Sequence, residues 1–216
     1  DVTLPRIIGL LKFGSCKRGE LLSLEAADIS CYWAEAVASL EAALELLATK
    51  FGAFSLKFVP LRDIVAPLAI IFNSQQFTTA GKDAHDKLSV WYWRSVFSQY
   101  FVTSGDTKAA RAVKEWLGEA SKPNTGWLSH DKNAPESVAT FSLPKNLLQG
   151  VARKDDAVYT GVLSMLLALE VKDLGTPHQP LSVKNVDMIE DHHIFPHKFL
   201  GSQNIKGEVA NQIANR

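Results

Sequence analysis

The stretch that most restricts the fold is "LRDIVAPLAIIF", residues 61–72. Apolar side chains fall on nearly every side of it, so as a helix it has no face to offer water. The stretch reads as a buried helix, kinked or restarted at Pro67, because a proline inside a helix removes one backbone donor and crowds the preceding turn. No apolar run here approaches the ~20 residues that span a bilayer, so other protein elements have to enclose this one.

The sequence supplies those elements. In residues 31–50, Trp33, Val37, Leu40, Leu44 and Leu47 recur at steps of four, three, four and three, which draws one apolar stripe along a helix. Gly52 follows its last turn, where a left-handed cap costs glycine least. A third helix is expected over residues 84–101, with Asp83 as its N-cap. Its aromatic load of Trp91, Trp93, Phe97, Tyr100 and Phe101 has helical spacing, which favours core packing over a base-stacking platform. A shorter helix is expected over 105–120, capped by Asp106. Ala110, Val113 and Leu117 would face inward. Lys108, Arg111 and Lys114 would lie outside, either solvated or in contact with phosphate. Residues 121–140 read as a long loop. A buried helix follows over 156–175, ended by Gly175, and "TPHQPLS" reads as a linker. No alternating strand pattern appears before residue 180. The expected fold class is therefore mainly α, a helical bundle over residues 1–182 with a change of character near Ser182.

Composition narrows the function classes. Lys plus Arg and Asp plus Glu both number 23, so the net charge is zero. An overall basic nucleic-acid footprint is absent, which leaves local patches or another domain to supply one. Cys16 and Cys31 have no metal-ligand spacing and read as reduced thiols. The opening residues lack the basic start and small-residue cleavage site of a signal peptide. They also lack an initiator Met, and the chain is expected to be a piece of a longer protein.

The tail carries the chemistry. In "IEDHHIFPHKFL", residues 189–200, two histidines stand side by side. Phosphodiester hydrolysis needs a base for water and positive charge beside the phosphorus. Successive side chains of an extended segment point to opposite faces, so one imidazole can face a metal and its neighbour the water. Pro196 lacks an N–H and is expected to stop the strand there. Asp191 reads either as an orienting partner for an imidazole or as a solvated acid, as does Glu190. His197 and Lys198 read as a phosphate-meeting pair or a surface turn. His85, His130 and His178 stand alone.

"HHIFP" with "IANR" (213–216) resembles the start of an HNH, or His-Me finger, nuclease motif. In that family a first strand ends in a ligand–His–apolar–apolar–Pro pattern. An Asn follows on the second strand of a hairpin, and a helix with a further ligand closes a ββα unit. The resemblance places His192 as the first metal ligand, His193 as the general base and Asn215 as the middle Asn that orients the base. The last ligand would lie beyond Arg216. "LRDIVAPLAIIF", "KLSVWYWRSVFSQYF", "DTKAARAVKEWL" and "DHHIFPHKFL" occur in the same order in proteins related to GmrSD-type modification-dependent restriction endonucleases, which join a ParB-like N-terminal domain, a helical middle region and a C-terminal HNH nuclease. The resemblance implies that residues 183–216 are the truncated start of a ββα-metal nuclease domain, in a cytoplasmic prokaryotic DNA endonuclease of restriction or phage-defence type. It implies a divalent metal, Mg2+ or an imidazole-tolerant Mn2+, Ni2+ or Zn2+, and DNA, modified or not, as partner. The ParB-like domain and its nucleotide dependence lie outside this chain. The rival reading is a helical regulatory or interaction module whose His pair binds a structural metal or nothing. A third is a nuclease fold that only binds DNA.

Overall fold

The computed structural model describes residues 3–119, 121–123, 125–172 and 192–215. The protein is mainly helical. Its contacts divide it into two compact units, Asp1–Leu46 with Leu61–Ser142, and Leu47–Pro60 with Leu143–Arg216. Ser182, where the sequence predicts a change of character, lies outside the described residues, as do Gly175, His178, Glu190 and Asp191. No helix among the described residues is long and apolar enough to cross a membrane.

The first unit is built around the all-apolar segment. A 3₁₀ turn, Arg62–Ile64, leads into the helix α4, Val65–Phe72, in which Val65, Ala66, Pro67, Leu68, Ala69 and Ile71 are buried. The helices α1, Thr3–Phe13, and α7, Gly105–Leu117, pack on it. Pro67 neither kinks nor restarts the helix. It is the third residue of the first turn, where a backbone N–H has no intrahelical acceptor and its loss costs little. Arg6 of α1 ties these parts together, pairing with Asp63 and, at 2.8 Å, with Asp106. Asp106 is therefore an ion-pair partner rather than the cap of α7. The N-cap is Ser104, at φ 56° and without a side-chain cap bond. Gly105 is needed here because a Cβ would fall 2.2 Å from the Asp63 carboxylate.

The helix α2, Arg18–Leu22, and the long α3, Ala26–Phe51, complete this side of the unit. On α3 the buried face is Ala36, Ser39, Ala43 and Leu46, and Ser39 accepts from Asn73 at 2.9 Å. Of the larger stripe read from the sequence, Leu47 is buried and Val37 and Leu40 are half-buried, while Trp33 and Leu44 are exposed. The short α5, Gln75–Thr79, is capped by Ser74, and α6 spans Lys82–Phe97 after Gly81. Asp83 is thus inside the first turn of α6, not its cap, and pairs with Lys87 at 3.0 Å. Gln99, at φ 53°, ends the helical run, and Tyr100–Val102 form a 3₁₀ turn. Trp91 of α6 and Trp116 of α7 meet edge to face at 5.8 Å, and Trp127 abuts Trp116 at 4.8 Å. Phe77 and Phe101 close the cluster, which is core packing. The inward face of α7 is Ala109, Ala112 and Trp116, one position round from the expected Ala110, Val113 and Leu117.

Residues 121–140, expected as a loop, hold more order. Gly118–Glu119 (β1) and Lys122–Pro123 (β2) form a two-residue antiparallel ladder. A 3₁₀ turn at Asp131–Asn133 and the helix α8, Glu136–Ala139, follow. Lys87 anchors this segment through the Trp127 carbonyl at 3.1 Å and Asp131 at 2.7 Å. Arg94 donates to the Val138 carbonyl at 2.7 Å.

In the second unit the last turn of α3 meets the helix α9, Ala157–Ala168, which is capped by Asp156 accepting from Val158 N at 2.7 Å. This helix stops before the expected residue 175, and Glu170 follows it in the left-handed region at φ 54°. Ser164 donates to the Phe51 carbonyl. Gly52 sits at φ +68° with Ala53 N bonded back to Leu47 O at 2.9 Å, a six-to-one closure of the helix end. A Cβ on Gly52 would fall 2.2 Å from Ser164 O. The helices α10, His197–Ser202, and α11, Gly207–Ala210, pack on each other, and a 3₁₀ turn spans Ile213–Asn215.

Gly52→Ala is expected to destabilise the second unit by about 2–5 kcal/mol, from the left-handed penalty plus the clash with α9, read from denaturant unfolding. Burial pushes the Glu115 carboxyl above the ordinary range, with the Glu136 N–H and Arg111 pulling the other way. A raised folded value means stability that is full below the unfolded pKa and is lost as pH rises through the folded one. Glu115→Gln should therefore raise the melting midpoint at pH 7, by an amount that solvent screening of this half-exposed group keeps small. The gain should vanish below about pH 4.

Candidate functional site

The tail of the second unit holds four of the residues singled out by sequence, His192, His193, His197 and Asn215, of which His193 and His197 come together. Residues 192–196 form no strand. A ladder needs a facing strand, and among the described residues this segment meets Asn215, which lies in a 3₁₀ turn. One backbone bond joins them, from Ile194 N to Asn215 O at 2.9 Å. Pro196 does not terminate a strand but is the N-cap of α10, a boundary its fixed φ and missing N–H suit well.

The Asn215 side chain replaces the missing ladder. Its Oδ1 accepts from Phe195 N at 2.9 Å, and its Nδ2 donates to Phe195 O at 3.1 Å and to Ala210 O at 2.8 Å. A primary amide offers a donor and an acceptor side by side, so it pairs with one residue's N–H and C=O as a neighbouring strand would. Asn215 is only 8% exposed, and three satisfied bonds offset the cost of burying its amide. The turn that carries it is tied down by Ile213 N donating to Val151 O at 2.7 Å. Residue 194 and residue 195 are thereby fixed in place, with their apolar side chains exposed.

His193 precedes the clasped pair and is half-buried. Its Nε2 lies 3.1 Å from Asn211 Oδ1, and His197 Nε2 lies 3.0 Å from the same oxygen. The two rings meet edge to face at 4.5 Å. An amide oxygen only accepts, so with this amide orientation each ring would donate through Nε2–H. When His193 is neutral, the lone pair is then on Nδ1. Asn211 was not singled out by sequence. Its signal is the spacing of "NQIAN", four residues before Asn215 in the turn that follows α11, but nothing local says that α10 brings His197 to the same oxygen.

The remaining sequence candidates are less placed. His192 and Lys198 are exposed, and Asp191 lies outside the described residues. Among the described residues no three His, Cys, Asp or Glu side chains come together to hold a metal ion. His192 offers a single imidazole donor, so the described residues do not complete a coordination set.

No protein-family model matches the chain, and no solved structure matches it. The chain is 27% identical over 135 residues, 61% of its length, to the uncharacterized protein MJ0686 of Methanocaldococcus jannaschii. It spans about a fifth of that relative, 21% of its length.

Asn215→Ala should free the Phe195 amide and cost about 1–3 kcal/mol for the side-chain bonds lost, while the Ile194 amide keeps its backbone acceptor at residue 215. Hydrogen exchange at the Phe195 amide is expected to accelerate while exchange in α6 and α7 stays unchanged. Asn215→Asp keeps an acceptor for the Phe195 amide but loses both N–H donors, so it should lose stability while leaving exchange at Phe195 slower than in the alanine variant.

Proposed function

We propose that the tail is the opening part of an HNH-type site, in a metal-dependent endonuclease that hydrolyses DNA phosphodiesters in restriction or phage defence. The observation that supports this reading most is the Asn215 clasp on Phe195, with the neighbouring His193 Nε2 held 3.1 Å from Asn211 Oδ1. A general base has to be oriented before it is useful, and a side chain locked from two sides loses little further freedom when the reaction begins.

In this reading His193 Nδ1 takes a proton from water as the water oxygen bonds to phosphorus. The bond from phosphorus to the 3′ oxygen breaks on the opposite side, and that oxygen takes a proton from solvent. The imidazolium formed keeps its Nε2–H bond to Asn211, which becomes stronger as the ring charges. A divalent cation, Mg2+ or else Mn2+, Ni2+ or Zn2+, would be held in part by His192 and would supply positive charge beside the phosphate. The ββα closure and any nucleotide dependence belong to the longer protein in this proposal.

Plasmid cleavage by the full-length protein in Mg2+ or Mn2+ tests the assignment. His193→Ala is expected to slow cleavage by about 10²–10⁴, the usual worth of a positioned base. Equal cutting by wild type and variant would remove His193 from the chemistry. If neither metal supports cutting by wild type, the module reading, with the histidines as a structural feature, takes its place.

A further inference from the structure

The three basic residues that the sequence puts on the outer side of α7 do not act alike. Lys108 is used internally, its Nζ donating to Tyr100 O at 2.6 Å and to Thr103 Oγ1 at 3.3 Å. Arg111 and Lys114 instead line a cleft of about 430 Å³ with Lys17, Phe13, Ser15 and Thr107. The cleft lies entirely within the first unit, between the end of α1, the start of α2 and the outer face of α7.

Its charge is unbalanced. The one carboxylate in the lining, Glu20, is engaged in holding the turn, accepting from Ser15 Oγ and from Lys17 N at 3.1 Å. Arg111 pairs with Glu136 through one Nη. Neither Lys17 nor Lys114 has a carboxylate within salt-bridge distance among the described residues, whereas Arg6, Lys12, Lys87 and Arg153 all do. In a chain of zero net charge, two unpaired ammonium groups and an arginine facing one concavity form a local positive field. The Thr107 hydroxyl and the Phe13 ring complete the lining. That ring is 38% exposed and has the Lys12 ammonium at 4.8 Å. Cations and hydroxyls suit phosphate oxygens, and an exposed aromatic suits a base. The volume falls at the lower end of the range of about 300–1,000 Å³ for small-ligand sites, fitting one nucleotide unit rather than a duplex.

We infer that this cleft binds the phosphate of a nucleotide unit, either a free nucleotide or one unit of a single strand, with Lys17 and Lys114 as the principal anchors. The inference stands apart from the chemistry proposed for His193. It is tested by calorimetric titration of the chain with ATP, with a short single-stranded oligodeoxynucleotide and with inorganic phosphate. ATP or the oligonucleotide should bind more tightly than phosphate and weaken with added salt. Lys17→Ala with Lys114→Ala should lower the affinity by about tenfold or more, the scale of lost charge-assisted bonds, and Lys114→Glu should abolish binding. Both lysines lack a carboxylate partner, so an unchanged circular dichroism spectrum is expected. His193→Ala should bind as wild type, which separates this site from the tail. Tighter binding of the oligonucleotide identifies a strand, and ATP binding alone identifies a free nucleotide. Unchanged affinity in the double variant, no binding of either nucleotide ligand, or phosphate binding as well as both would overturn the inference.

Discussion

One amide in the tail takes the place of a β-strand. Asn215 is the only side chain among the described residues that pairs with both backbone groups of Phe195, and every placement in the tail follows from it. With residue 195 fixed, Pro196 begins α10 at a set point. His197, in the first position of that helix, then comes to within an edge-to-face contact of His193. Asn211 bonds to both rings because α11 carries it to the same spot. The arrangement needs no extended sheet, since a donor and an acceptor on one planar group reproduce the pairing of a single ladder step.

The first unit rests on a different constraint. Six of the eight residues of α4 are buried, and α1 and α7 pack against it. Arg6 then fixes the ends of these elements by joining Asp63 and Asp106. Two carboxylates would repel at this approach without the guanidinium between them, whose planar fork can meet both at once. Lysine, with a single charged nitrogen, would not offer the same geometry.

The helical class and most helix positions were legible in the sequence, because apolar periodicity survives in a single chain. Rotation about each helix axis was less so. In α3 the stripe held at Leu47, which is buried, but at Trp33 and Leu44 it did not, and much of the buried face is Ala36, Ser39 and Ala43. Small residues admit a close neighbour, while hydrophobicity counts reward bulk. Pro67 misled for a related reason: its penalty depends on whether it stands in the first turn or later, and the helix start at Val65 is set by packing. Ser104 and Gly81, not Asp106 and Asp83, precede their helices, because both carboxylates are bound by basic side chains. In the tail, the pair His192–His193 and Asn215 stood out by motif. Asn211 did not, since a polar residue with no periodic partner gains meaning only when two helices bring other groups to it.

The aromatic cluster has a practical corollary for spectroscopy. All five tryptophans, Trp33, Trp91, Trp93, Trp116 and Trp127, belong to the first unit. Indole emission during a melt therefore watches one body of the molecule and is silent about the other, the one that holds the histidines. Tyr159, buried in α9, is the native aromatic reporter there, and a tryptophan introduced at that position would give the tail's unit a colour of its own.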